Sequence, residues 1–150
     1  MKSHHLDWLA RKAKDILLPH LVFVESLEDG NSACCYRPYK GEMQVGNVFV
    51  PFDKGLILVS ESQMKFGSLE NTLAHEWRHH WQWFNFPRAG YSTKFNADAT
   101  NYKDAIIKFF KDPKEYDALV FSHKVAPDRT SRTWIAWIQE YRLLQRQIVV

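Results

Sequence analysis

Residues 72 to 82 read T-L-A-H-E-W-R-H-H-W-Q, and within them His75, Glu76 and His79 form the pattern H-E-x-x-H. Each residue of a helix advances about 100°, so His75 and His79 stack one turn apart on one face and both imidazoles reach a single ion. Glu76, one step around, flanks that ion and suits a base that takes a proton from water activated there. Imidazole and carboxylate ligands with one position left open favour Zn2+. His80 lies about 100° beyond His79 and cannot easily join the same ion; a polar or interface role is expected of it. Gln82, three residues past His79 on the metal-facing side, either touches a ligand or substrate or is simply solvated.

These residues need a helix with a core side and a metal side. Residues 68 to 84 supply one, with Ser68 as N-cap and Leu73, Trp77, Trp81 and Phe84 as the apolar face; Pro87 and Gly90 end it. Before it, L-V-F-V, A-C-C-Y, N-V-F-V and L-I-L-V-S alternate with D-G-N-S, Y-K-G-E and F-D-K-G, which predicts three or four strands of one small, mainly antiparallel sheet. Leu6, Leu9, Ala10, Ala13, Ile16 and Leu17 predict an amphipathic helix over 5–18, stopped by Pro19. After a polar loop at 88–97, helices are expected from Asp98 to Lys111, from Asp112–Pro113 to about Lys124, and over 131–148. The last presents Trp134, Trp137, Ile138, Tyr141, Leu144 and Ile148 along one face. The expected architecture is α+β, residues 1–150 forming a single domain: an N-terminal helix, the small sheet, and two metal-bearing helices packed on it.

A catalytic zinc needs a third protein ligand. Gln82 and Asn85 occupy the places where x-x-G-x-x-H would continue the motif, so a downstream carboxylate is the next option: Glu115, or else Asp98, Asp104 or Asp117. Glu115 has a simpler role open to it, because Asp112 and Glu115 have capping-box spacing. Asp117 could instead orient a ligand histidine. H-E-W-R-H followed by E-Y-D-A-L-V-F at 115–121 resembles the small gluzincin metallopeptidases, and H-E-x-R-H-x-W-Q is similar to metallopeptidase-like proteins of bacteria and their phages. The resemblance covers the sheet and the two motif helices. It implies a zincin-like fold, Glu115 as third zinc ligand, and a His or Tyr from a later helix or loop that stabilises the developing oxyanion. His123, about two turns past Glu115, fits that description, as do Tyr91, Tyr116 and Tyr141; no spacing selects among them, and a core or surface role is the simpler reading of each.

The expected function is therefore a Zn2+-dependent hydrolase acting on a peptide or protein substrate, with Glu76 as general base. The alternatives are a weak or inactive zincin-fold module that binds or regulates a protein partner, and a nucleic-acid-binding protein using Arg129, Arg132, Arg142 and Arg146 with Trp134 and Trp137. The last is the weakest, since those tryptophans have the spacing of a core face and the formal charge is only +3. No apolar run approaches the roughly 20 residues that cross a bilayer, and the charged start M-K-S-H-H-L-D-W-L-A-R-K lacks the apolar run expected of a secretory signal. The adjacent Cys34 and Cys35 read as reduced thiols, so a cytoplasmic location is expected.

Overall fold

A computed structural model describes residues 19–27, 34–37, 41–45, 47–52, 55–86 and 99–148. The helix expected at 5–18, the loop at 88–97, and Asp98 and Tyr91 lie outside them. The described chain is α+β, with strands β1 (His20–Phe23), β2 (Cys34–Arg37), β3 (Gly41–Val45), β4 (Val48–Phe52) and β5 (Leu56–Val59) before helices α1 (Leu69–Asn85), α2 (Tyr102–Phe109), α3 (Pro113–Val125) and α4 (Arg129–Ile148).

The strands form two sheets instead of the one expected. β5 is the centre of a mixed three-stranded sheet, parallel to β1 and antiparallel to β2. β3 and β4 pair only with each other among the described residues, Val45 opposite Val48 across residues 46 and 47. A parallel pair needs a long crossover. Here the chain passes through β2, β3 and β4 between β1 and β5, a detour that short strands with turn residues between them do not reveal. Successive side chains of β5 point to opposite faces. Ile57 and Val59 meet Leu73, Ala74 and Trp77 of α1, while Leu56 and Leu58 join Leu27, Val22, Val24 and Cys35 on the far face. Each fully buried Leu or Ile side chain contributes about 1.5–3 kcal/mol, so the Ile57–Leu73 layer anchors α1 to the sheet. Trp77 stacks on Phe121 with ring centroids 5.6 Å apart, although its buried Nε1 has no acceptor among the described residues.

The helix boundaries follow local capping. The Ser68 hydroxyl accepts from the Asn71 amide and starts α1 as expected. Asn101 caps α2, which is shorter than the expected 98–111, and the Asp112 carboxylate accepts from the Lys114 amide at the start of α3. Asp128 accepts from the Ser131 amide at 2.7 Å, so α4 begins at Arg129. Ile106, Phe110, Leu119 and Ile138 tie α2, α3 and α4 into a second core, lined by Trp134 and Trp137.

Two predicted apolar stripes end early. Phe84 is 59% exposed, and the core stripe of α1 runs Leu73–Trp77–His80 instead. His80 takes the inward position because Tyr36 satisfies it: the Tyr36 hydroxyl lies 2.8 Å from His80 Nδ1. Leu144 is 50% exposed, because packing along α4 stops near Tyr141. No helix of the described residues is long and apolar enough to cross a membrane.

Candidate metal centre

The start of α1 is held in place by groups distant in sequence. Asp128 Oδ2 accepts from the Ser68 amide at 2.9 Å, and Asn71 Nδ2 donates to the Ala126 carbonyl at 2.9 Å. Gly67 permits the approach: its φ is +78°, and a Cβ there would lie 3.1 Å from Asp128 Oδ2. With Leu73, Ala74, Trp77 and His80 facing the core, His75 and His79 turn toward α3.

There they meet Glu115, in the first turn of α3 and only 2% exposed. Glu115 Oε1 lies 3.1 Å from His75 Nε2 and 2.5 Å from His79 Nε2, and the two imidazole nitrogens are 3.2 Å apart. Glu115 thus reaches across to the histidines instead of back to the Asp112 backbone as a capping box would. Phe110 walls the site, its ring 6.4 Å from that of His75 and nearly perpendicular.

Protonation follows from these contacts. Burial opposes charge on His79, but the Glu115 hydrogen bond and the charges of Glu76 and Glu115 outweigh it and raise the pKa to about 9. Burial likewise pushes the Glu115 carboxyl up, yet the hydrogen bonds from His75 and His79 win and hold it well below the usual range. These shifts favour an ion pair, the His79 imidazolium against the Glu115 carboxylate.

Gln82 and Asp117 join the cluster from opposite helices. Gln82 Oε1 lies 2.9 Å from His79 Nδ1, and its Nε2 donates to the Lys114 carbonyl at 2.9 Å and to Asp117 Oδ2 at 2.8 Å. Asp117 also accepts from Arg78 Nε at 2.8 Å and Nη2 at 3.2 Å. Partial burial raises the Asp117 pKa, but these hydrogen bonds lower it further, so the carboxylate stays charged. The Arg78 guanidinium lies 3.8 Å from the Trp81 ring centroid and 4.9 Å from that of Phe121. Arg78 and Phe110 were not singled out from sequence. Arg78 offered one signal: it precedes Gln82 by one helical turn and so shares its side of α1.

Other candidates lie elsewhere. His123 Nδ1 pairs with Ser131 Oγ at 2.7 Å, at the start of α4. Tyr116 lies under Arg142, Tyr141 faces Lys111, and Asp104 accepts from Thr100 and pairs with Lys108. The charge of Glu76 acts on both His79 and Cys34. Burial and that carboxylate push the Cys34 thiol up, away from the reactive thiolate form.

The donor set fits a divalent ion. His75, His79 and Glu115 each offer one ligand atom, and all three atoms lie within 4.8 Å of one another. Two imidazoles and one carboxylate are a zinc-type set that leaves a position open. Comparison with protein-family models, curated proteins and solved structures found no match to this chain.

Proposed function

We propose that the chain is a zincin-like, zinc-dependent peptidase of the small gluzincin type, with His75, His79 and Glu115 holding Zn2+ and Glu76 as general base. The convergence of two Nε2 atoms and a buried carboxylate from two helices, with the charge of a second glutamate, Glu76, acting on His79, carries this reading. Zinc held there would polarise a peptide carbonyl and lower the pKa of a water molecule.

The chain's own residues supply the remaining chemistry. Glu76 accepts a proton as the water oxygen attacks the carbonyl carbon. It then delivers that proton to the amide nitrogen as the C–N bond breaks. Burial of Glu115, with Phe110 against the His75 ring, keeps the local dielectric low, which strengthens each charge interaction at the site. β2 packs beside α1 and, among the described residues, pairs with β5. Free thiols at Cys34 and Cys35 agree with a cytoplasmic site of action.

The test is Glu76→Gln, assayed for zinc content and for cleavage of a panel of unfolded peptides. Hydrolysis should fall about 10²–10⁴-fold with zinc retained. Cleavage at the wild-type rate would remove Glu76 as base. Wild-type protein with full zinc that cuts no peptide would favour the binding-module alternative.

A further inference from the structure

Gln82 has a definite amide orientation, and it decides which nitrogen of His79 carries hydrogen. The Lys114 carbonyl can only accept, and Asp117 Oδ2 already accepts from Arg78 Nε; both lie within 2.9 Å of one end of the Gln82 amide. That end must be the NH2, with both protons used. The oxygen is therefore the atom that faces His79 Nδ1 at 2.9 Å. An amide oxygen only accepts, so Nδ1 must donate and carries hydrogen. In the neutral ring this leaves the lone pair on Nε2, the atom that converges with His75 Nε2 and Glu115 Oε1.

The same side chain spans the two ligand-bearing helices. Its contacts on α3 are Lys114, one residue before Glu115, and Asp117, two residues after it. Asp117 is itself held by the two hydrogen bonds from Arg78, whose guanidinium packs on Trp81 and Phe121. Rotating the Gln82 amide by 180° would oppose its oxygen to two acceptors and its NH2 to the ring N–H. The orientation is thus set by the far side of the network and read out at His79.

We propose that Gln82 is a positioning residue that holds His79 as the Nδ1–H tautomer, with Nε2 aimed at a bound metal, and that Asp117 and the Lys114 carbonyl set it in that role. This deepens the zinc reading above and rests on it. Outer partners of ligand histidines typically alter metal affinity by about 10–100-fold.

Two variants separate tautomer control from simple helix bridging. Gln82→Leu removes the acceptor and both donors. Gln82→Glu keeps an acceptor for His79 Nδ1 but, when ionised, loses both donors to α3. Zn2+ affinity, measured by chelator competition on the folded proteins, should fall about 10–100-fold in Gln82→Leu and recover only part of that loss in Gln82→Glu, whose second oxygen is set against the Asp117 carboxylate and the Lys114 carbonyl. Equal losses in the two variants, or no loss in Gln82→Leu, would overturn the proposal. A readout on the wild-type chain needs no variant to fold: nitrogen-15 NMR of the zinc-loaded protein should show a protonated Nδ1 on His79. A bare or metal-bound Nδ1 there would overturn the assignment. Failure of the wild-type chain to take up Zn2+ would sink the metal reading and this proposal with it. If the affinities behave as expected and no peptide is cut, the role of Gln82 is supported and only the peptidase reading falls.

Discussion

Raising the pH should tighten zinc binding steeply, because the ion must displace a proton from His79. Without metal, Nδ1 faces the Gln82 amide oxygen and Nε2 faces the Glu115 carboxylate at 2.5 Å, so both ring nitrogens have acceptors and the ring is held as imidazolium. Its pKa is raised to about 9. For one competing proton, the apparent affinity changes about tenfold per pH unit below that value and levels off above it. At pH 7 the competition is about 100-fold, or about 2.7 kcal/mol at 1.36 kcal/mol per unit. An imidazole with the ordinary pKa of about 6.5 would show almost none. The assay is competition against a chromophoric chelator between pH 6 and pH 10, paired with calorimetry in two buffers of different ionisation enthalpy to count protons released. Because water on zinc also loses a proton near neutrality, the His79 ring should be titrated directly by NMR in the metal-free chain. A midpoint near 6.5 there, with an affinity already level at pH 7, would refute the reasoning.

The same pair predicts how the metal-free fold responds to pH. The His79 pKa is raised, so its contribution is complete below about 6.5 and is lost as the pH rises through about 9; that of Glu115 is lowered, so the contribution is also lost as the pH falls from 4.5 toward about 2. Urea midpoints of the metal-free chain should fall on both sides, as one interaction lost in two ways, and a flat profile would count against the ion pair. Glu115→Ala removes one of three converging donors and should weaken Zn2+ by more than the roughly 100-fold upper range of an outer partner; chelator competition showing wild-type affinity would remove Glu115 from the site. Gly55→Ala should destabilise the fold by about 1–3 kcal/mol in urea unfolding, because φ is +105° and the new Cβ would lie 2.6 Å from the Tyr36 hydroxyl and 3.0 Å from His80 Nδ1. A neutral Gly55→Ala would show that the Tyr36–His80 contact gives way easily.

What could be read before any coordinates were local. Ser68, Asp112 and Pro113 announce their helix starts through contacts within a few residues. The shared face of His75 and His79 follows from helical pitch alone. Gln82 was ambiguous, because its three partners are His79 on its own helix and Lys114 and Asp117 more than thirty residues away. Glu115 was ambiguous for the same reason. Its spacing from Asp112 is that of a cap, and only the packing of α1 against α3 turns the carboxylate to the histidines. His80 and Phe84 exchanged their expected places because Tyr36, on a strand, satisfies a buried imidazole, which no helical pattern encodes.

From sequence alone came a helix with two histidines and a glutamate between them, the strand-rich segment before it, and the helix starts that follow. Periodicity and capping act over one or two turns, so such features are written into short stretches of chain. Tertiary structure decided that β1 and β5 run parallel, that Glu115 and not Asp104 or Asp117 meets both histidines, and that the Gln82 amide presents its oxygen to His79. Each of these depends on groups brought together across tens of residues, where burial and hydrogen-bond satisfaction select one arrangement among several that local spacing allows.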